Sequence, residues 1–237
     1  MKNAMQHVAV VIPARDEEEL LPRCLASVMA AGVLLPASVS LDMVVAVDRS
    51  TDRTLEVART MLRHRGAVLR SGAGVVGRAR ALAAERALKR FRGLRHRCWI
   101  ANTDADCEVP ETWLVDQLSL AGDSIEAIAG TVDVDDFSEH RPEVADRFRA
   151  TYLIAADGTH PHVHGANLGV RADAYLRAGG WSPLATAEDH DLWQRIERAN
   201  CKRISVGWLK VITSGRRIGR APHGFAEALA AHNEAVA

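Results

Sequence analysis

The chain has no two cysteines at C-x-x-C spacing, no excess of charge of either sign, and no apolar run near the roughly 18 residues that would suggest a membrane span. Its cysteines, Cys24, Cys98, Cys107 and Cys201, are scattered. That spacing argues against a disulfide framework or a thiolate zinc site and suits a reducing cytoplasm. Thirty basic residues balance thirty acidic ones, so no global field favours nucleic acid or an acidic membrane, and any recognition of phosphate has to be local. After Lys2 the only early apolar run is Val8 to Ile12, so neither a signal peptide nor a membrane span is expected. A chain of 237 residues can bury roughly three quarters of its unfolded surface. No repeat or linker divides it, and one domain over 1–237 is expected.

What is present is an alternation. Val8 to Ile12 is a β-branched run ended by Pro13. An acidic stretch follows, Asp16-Glu17-Glu18-Glu19, and then apolar residues at 20, 21, 24, 25, 28 and 29. This reads as strand, loop and helix, with the acids in the first turn where the helix dipole favours them. A second unit runs from Leu41 to Val47 through the turn Asp48 to Asp52 into a helix ending near Gly66. Ala67 to Leu69 is a third strand, Gly77 to Phe91 an Ala-rich helix, and Cys98 to Ala101 a fourth strand. Four strands alternating with three helices predict a doubly wound α/β fold with a mostly parallel central sheet flanked by helices. Beyond Pro110 the pattern predicts a helix over 111–120, a strand over 127–134, a helix over 142–156, a short helix over 172–178 and a helix opening at 187–192.

Several stretches carry possible chemistry. The fourth strand stops at Asp104-Ala105-Asp106, and residues two apart on an extended chain point the same way, so both carboxylates can converge on Mg²⁺ or Mn²⁺. Alone, the same pattern fits a solvated turn. Gly72-Ala73-Gly74-Val75-Val76-Gly77 matches G-x-G-x-x-G, but it follows the third strand rather than the first, which disfavours a dinucleotide site and suits a loop near a phosphate. His160, His162 and His164 alternate in the manner of a transition-metal triad, yet Pro161 interrupts the ladder and no acid or cysteine adjoins them. A histidine lining a polar pocket is the simpler reading. Glu188, Asp189 and Asp191 either answer a helix dipole or carry chemistry.

Taken in order, these motifs resemble the family-2 glycosyltransferases, enzymes of the GT-A nucleotide-diphospho-sugar transferase fold, from about Val8 to Ile196. Val11-Ile12-Pro13-Ala14-Arg15-Asp16-Glu17-Glu18 is similar to the family's opening strand and loop. Val47-Asp48-Arg49-Ser50-Thr51-Asp52-Arg53-Thr54 resembles its D-D-G-S-T-D-G-T turn, with Val47 and Arg49 replacing the first aspartate and glycine. Asp104-Ala105-Asp106 matches the D-x-D motif, and Arg80 the arginine that often precedes it. His164-Gly165-Ala166-Asn167 resembles the G-x-N element, Gly179-Gly180-Trp181 the G-G-[FW] turn, and Glu188-Asp189 the E-D pair.

The resemblance implies a nucleotide-binding half over about 8–110, an acceptor and catalytic half over about 111–215, and a C-terminal tail over 216–237. Pro13, Ala14, Arg15, Asp16, Asp48, Arg80, Asp104 and Ala105 would meet a UDP- or GDP-sugar. His164, Gly165, Asn167, Trp181 and Glu188 would form the sugar and acceptor pocket. Asp106 and Asp104 would hold Mn²⁺ or Mg²⁺, with His223 as a third ligand, and Asp189 would be the base for an inverting, single transfer to a hydroxyl. The Q-x-x-R-W motif of processive synthases is absent. Two other readings stay open: a nucleotidyltransferase, disfavoured by the acidic Arg15-Asp16-Glu17-Glu18 after the first strand, and a non-catalytic binder of sugar nucleotides.

Overall fold

The β-branched opening run forms β1, His7–Ala14, and all of it is buried. In the computed structural model, which describes residues 4–122, 124–222 and 224–234, β1 lies inside a seven-stranded sheet. The remaining strands are β2 (Ser40–Asp48), β3 (Gly66–Ser71), β4 (Cys98–Asn102), β5 (Ala127–Val134), β6 (Leu168–Arg171) and β7 (Arg203–Thr213), in the spatial order β3-β2-β1-β4-β6-β5-β7. β1 to β4 are mutually parallel and β5 pairs parallel with β7, whereas β6 runs antiparallel to both neighbours. The expected mostly parallel α/β sheet is present.

Helices cover both faces because β1 alternates its side chains. Val8, Val10 and Ile12 pack on the face that buries Leu21, Leu25 and Val28 of α1 (Leu21–Val33), Ala58 of α2 (Thr54–Leu62) and Trp113 of α4 (Trp113–Ala121). Ala9 and Val11 pack on the other face, against Ala83 and Ala87 of α3 (Val76–Arg90), Tyr175 of α6 (Ala172–Arg177) and Leu192 of α7 (Glu188–Arg198). The alanines of α3 let it lie close to the sheet. α5 (Val144–Thr151) and α8 (Phe225–Ala231) share a smaller cluster containing Phe148 and Leu229.

Four local expectations change. Pro13 does not end β1, which pairs with β2 through Ala14↔Val47. Val11 accepts from Thr103 on the β4 side. Pro13 has the same parity as Val11, and its missing N–H falls beyond the β4 ladder, where none is needed. The acidic run lies before α1, whose first turn contains no acid, so Glu17 is free to enter the cleft. The helix expected to reach Ala156 stops at Thr151, because Tyr152 leaves helical geometry and turns its hydroxyl to the Val132 amide at 2.9 Å. β7 was not anticipated. It is an edge strand with a register break opposite Gly130/Thr131; its burial alternates from Gly207 to Thr213, while Arg203 to Ser205 are half-buried.

Candidate active site at the carboxyl ends of the strands

β1, β2 and β4 are parallel, so the loops after Ala14, Asp48 and Asn102 emerge at one end of the sheet. The cleft between them is lined by Pro13, Ala14, Arg15, Glu17, Asp48, Gly74, Asp104, Ala105 and Asp106. This is where an open α/β sheet collects ligands. Asp48 is buried and accepts from the Gly74 amide at 3.1 Å, which draws the glycine-rich stretch to the cleft beside the start of α3. Asp16 is spent differently, accepting from the Thr51 amide at 2.7 Å and so pinning the β1 loop to the β2 turn.

Asp104 and Asp106 do converge, and with Cys107 they offer ligand atoms within 4.8 Å of one another. Cys107 contributes little to a cation site, because burial pushes its thiol well above the ordinary value and keeps the proton on sulfur. Two carboxylates suit a hard cation that takes its other oxygens from phosphate and water. Burial pushes Asp106 up to about 6, Asp104 and Glu17 adding to the rise against the pull of Arg216. A carboxylate so placed calls for positive charge.

Arginines supply it. Arg80, 2% exposed, donates from Nη2 to Asp104 at 2.5 Å and from Nε to Glu188 at 3.1 Å, with its guanidinium 5.3 Å from the Trp181 ring centre. Burial alone would lower the Arg80 pKa, but Asp104 and Glu188 outweigh it and keep the side chain charged. Gly165 is needed here, because a Cβ on it would stand 2.5 Å from Arg80 Nη2. Arg216 forms a second bridge, donating to Glu17 at 2.6 and 3.0 Å and to Asp106 at 2.5 Å. Two arginines therefore hold four carboxylates in one array.

Asp189 stands at the edge of that array, accepting from the Gly165 amide at 2.8 Å through Oδ2. Its neighbour Glu188 is not a solvated dipole charge; it is buried, its pKa is raised by that burial, and Arg80 holds it. Trp181 lies beneath Arg80 rather than in the open cleft. His164 is covered by Tyr152, whose hydroxyl lies 2.8 Å from Nε2, and burial, reinforced by neighbouring histidines, lowers its pKa to about 4.

Asn167 and the three alternate histidines are placed away from the roles their motifs suggested, the histidines as the interruption by Pro161 led one to expect. The amide of Asn167 is fully committed, accepting from Trp113 and donating to the Thr131 and Leu209 carbonyls at 2.8–2.9 Å. It ties β5 to β7 and, at 1% exposure, does not reach the cleft. His160, His162 and His164 stack at 5.8 and 6.1 Å between ring centres rather than converging their nitrogens. Among the described residues the only cluster able to hold a metal is Asp104, Asp106 and Cys107. His223 lies outside the described residues. Glu17 and Arg216 were not read from the sequence as site residues, although the acidic run and the basic stretch after Gly215 are visible in it.

Against known proteins, the sequence pattern described as glycosyl transferase family 2 matches residues 9–177. No curated protein matches the chain. Among solved structures, residues 1–349 of TarS from Staphylococcus aureus in complex with UDP-GlcNAc superpose with a TM-score of 0.66 at 14% identity, covering 93% of this chain. This chain spans 62% of that one. The mannosyltransferase PcManGT from Pyrobaculum calidifontis, in complex with GDP-Man and Mn²⁺, gives a TM-score of 0.64 at 17% identity, covering 98% of this chain and 70% of its own. At such identities these structures share the fold.

Proposed function

Because the chain belongs to glycosyl transferase family 2, as its match over residues 9–177 establishes, we propose that it moves one sugar from a nucleoside-diphospho-sugar to an acceptor hydroxyl with inversion. The observation that carries this reading is one largely buried chain that links two acidic groups: Asp104 and Asp106 at the end of β4, which line the cleft, and Asp189 at the start of α7, next to Glu188 in the chain Glu188–Arg80–Asp104.

The halves of the array do different work. Asp106 and Asp104 would hold Mn²⁺ or Mg²⁺, which when bound neutralises charge on the departing diphosphate. Asp48, with the Pro13 to Asp16 loop, would hold base and ribose, since Pro13, Ala14, Arg15 and Asp48 line the cleft together with Val76 and Ala79 of α3. UDP- and GDP-sugars are the donor candidates; UDP-GlcNAc and GDP-Man occupy the similar folds of TarS and PcManGT. Arg80 Nη1 is buried without a hydrogen-bond partner and could serve a phosphate or sugar oxygen. Asp189 takes the acceptor's proton as its oxygen attacks the anomeric carbon: the new C–O bond forms, the bond to the diphosphate breaks, and the electron pair leaves with the phosphate oxygen. The Gly165 amide keeps that carboxylate aimed. His164, Trp181 and Glu188 act by shaping the pocket behind it.

No described helix is long and apolar enough to cross a membrane. The test is a transfer assay with UDP-, GDP- and dTDP-sugars and a panel of hydroxyl acceptors, with Mn²⁺ and with EDTA, following release of nucleoside diphosphate and the anomeric configuration of the product. Metal-independent transfer, or retention of configuration, would overturn those parts of the reading.

A further inference from the structure

The cleft that would receive a donor encloses about 170 Å³, whereas sites for ligands of this size generally run from about 300 to 1,000 Å³. The segment after β7 supplies a large part of its lining: Ser214, Arg216, Gly219, Arg220 and Ala221. That segment is secured at both ends. Gly215 donates its amide to Asp135 at 3.0 Å and its carbonyl accepts from His140 at 2.8 Å, while α8 is held by buried Ala226 and Leu229. Between these anchors, residues 217–220 are exposed, Ile218 to 78%. On the cleft side this stretch is fastened by arginines. Arg216 grips Glu17 and Asp106, and Arg220 donates to the Asp16 carbonyl at 2.9 Å.

Arg216 thus occupies a carboxylate that the proposed function gives to a cation. A planar guanidinium that forks onto Glu17 has the geometry that also forks onto a phosphate. Charge balance limits how the two can exchange. Removing Arg216 alone would leave Glu17 and Asp106 buried beside each other with only Arg220, 3.9 Å from Glu17, as counter-charge, a costly arrangement. If a divalent cation arrives with an anionic diphosphate, Asp106 gains a new counter-ion and the guanidinium a new anion at the same time. The exchange re-pairs Asp106 and the guanidinium; Glu17, which Arg216 releases, has Arg220 Nε 3.9 Å from its carboxylate and shares the field of the incoming cation.

We propose that Arg216 is a donor-contacting residue that holds the cation position at Asp106 and transfers to the diphosphate when donor and cation bind, carrying the 214–222 segment with it. This rests on the proposed transfer from a nucleotide-sugar. It sets two opposite effects for one substitution. Without nucleotide Arg216 competes with the cation, so its removal strengthens cation binding. With nucleotide it supplies a phosphate contact, so its removal weakens nucleotide binding. A residue that merely braced the fold would shift both in the same direction.

The experiment measures Mn²⁺ binding to the nucleotide-free protein by the electron paramagnetic resonance of free Mn²⁺, then UDP and GDP binding at saturating Mn²⁺ by calorimetry, for the parent, Arg216→Met and Arg216→Lys. Arg216→Met is expected to bind Mn²⁺ alone about 10-fold more tightly and the nucleotide about 10-fold or more weakly. Arg216→Lys keeps the charge without the fork and should fall between parent and Arg216→Met in nucleotide binding. Unchanged or weaker Mn²⁺ binding by Arg216→Met, or unchanged nucleotide binding in a parent that binds it, overturns the proposal alone. A parent that binds neither UDP nor GDP overturns the nucleotide-sugar reading, and the proposal with it.

Discussion

Arg80 and Glu188 are 108 positions apart in the chain, yet the Arg80 Nε donates to the Glu188 carboxylate at 3.1 Å with both side chains under a tenth exposed. Through its Nη2 the same guanidinium reaches Asp104. One buried arginine therefore fixes the start of α7 against the end of β4. Removing one partner of a buried pair leaves the other uncompensated. Arg80→Ala should cost about 3–5 kcal/mol in chemical denaturation, because Glu188 would stay buried without its cation. A loss under about 1 kcal/mol would mean that the array is not what joins the two halves.

Asp189 and Glu188 should fail in different ways. Asp189→Asn keeps an oxygen for the Gly165 amide and should melt close to the parent while turnover falls about 10² to 10⁴-fold. Glu188→Gln breaks a buried ion pair and should lose stability more than Asp189→Asn does. Transfer rates and melting curves on both variants decide between them, and near-parental turnover by Asp189→Asn would end its assignment as base.

Nucleotide binding should depend on the cation. At about 100 times its dissociation constant a ligand adds roughly 2.7 kcal/mol, which for a chain of this size raises the melting midpoint by several degrees. EDTA should abolish the shift produced by UDP or GDP with Mn²⁺, and Asp106→Ala should abolish it with metal present. A shift that survives both would remove the cation from the donor site.

Stability should fall as the solution is acidified past the ordinary histidine range. Burial, reinforced by His162, His190 and His160 against the pull of Asp189, lowers His164 to about 4 from 6.5. The folded state therefore holds it neutral while the unfolded chain takes up a proton. Its contribution is complete above pH 6.5 and is lost as pH falls from 6.5 through about 4, up to about 3 kcal/mol in all. His160 and His162 are shifted the same way by burial, so His164→Gln should reduce the slope between pH 7 and 5 without flattening it. An unaltered slope in that variant would place the acid sensitivity elsewhere.

The amino-acid order by itself determined the apolar and periodic parts of this protein. The β-branched run at β1 and the strand Ala127–Val134 were readable as near-continuous apolar runs because nearly every residue in them is buried, and α1 was readable because burial of one helix face imposes a period of 3.6. The placement of Asp104 and Asp106 followed from the same rule, since an apolar strand must end where its carboxylates begin. β7 was missed because Arg203, Ser205, Gly207 and Lys210 interrupt its apolar residues, and a register break divides its pairing with β5. Tertiary structure alone decided which charges meet. Arg216 reaches Glu17 across 199 positions, and Asn167, in a motif that suggested a sugar contact, is consumed by Trp113 and two carbonyls. A charged or amide side chain carries no local period, and its role is set by the groups that folding places within about 3 Å of it, which is information held between distant segments rather than within any one of them.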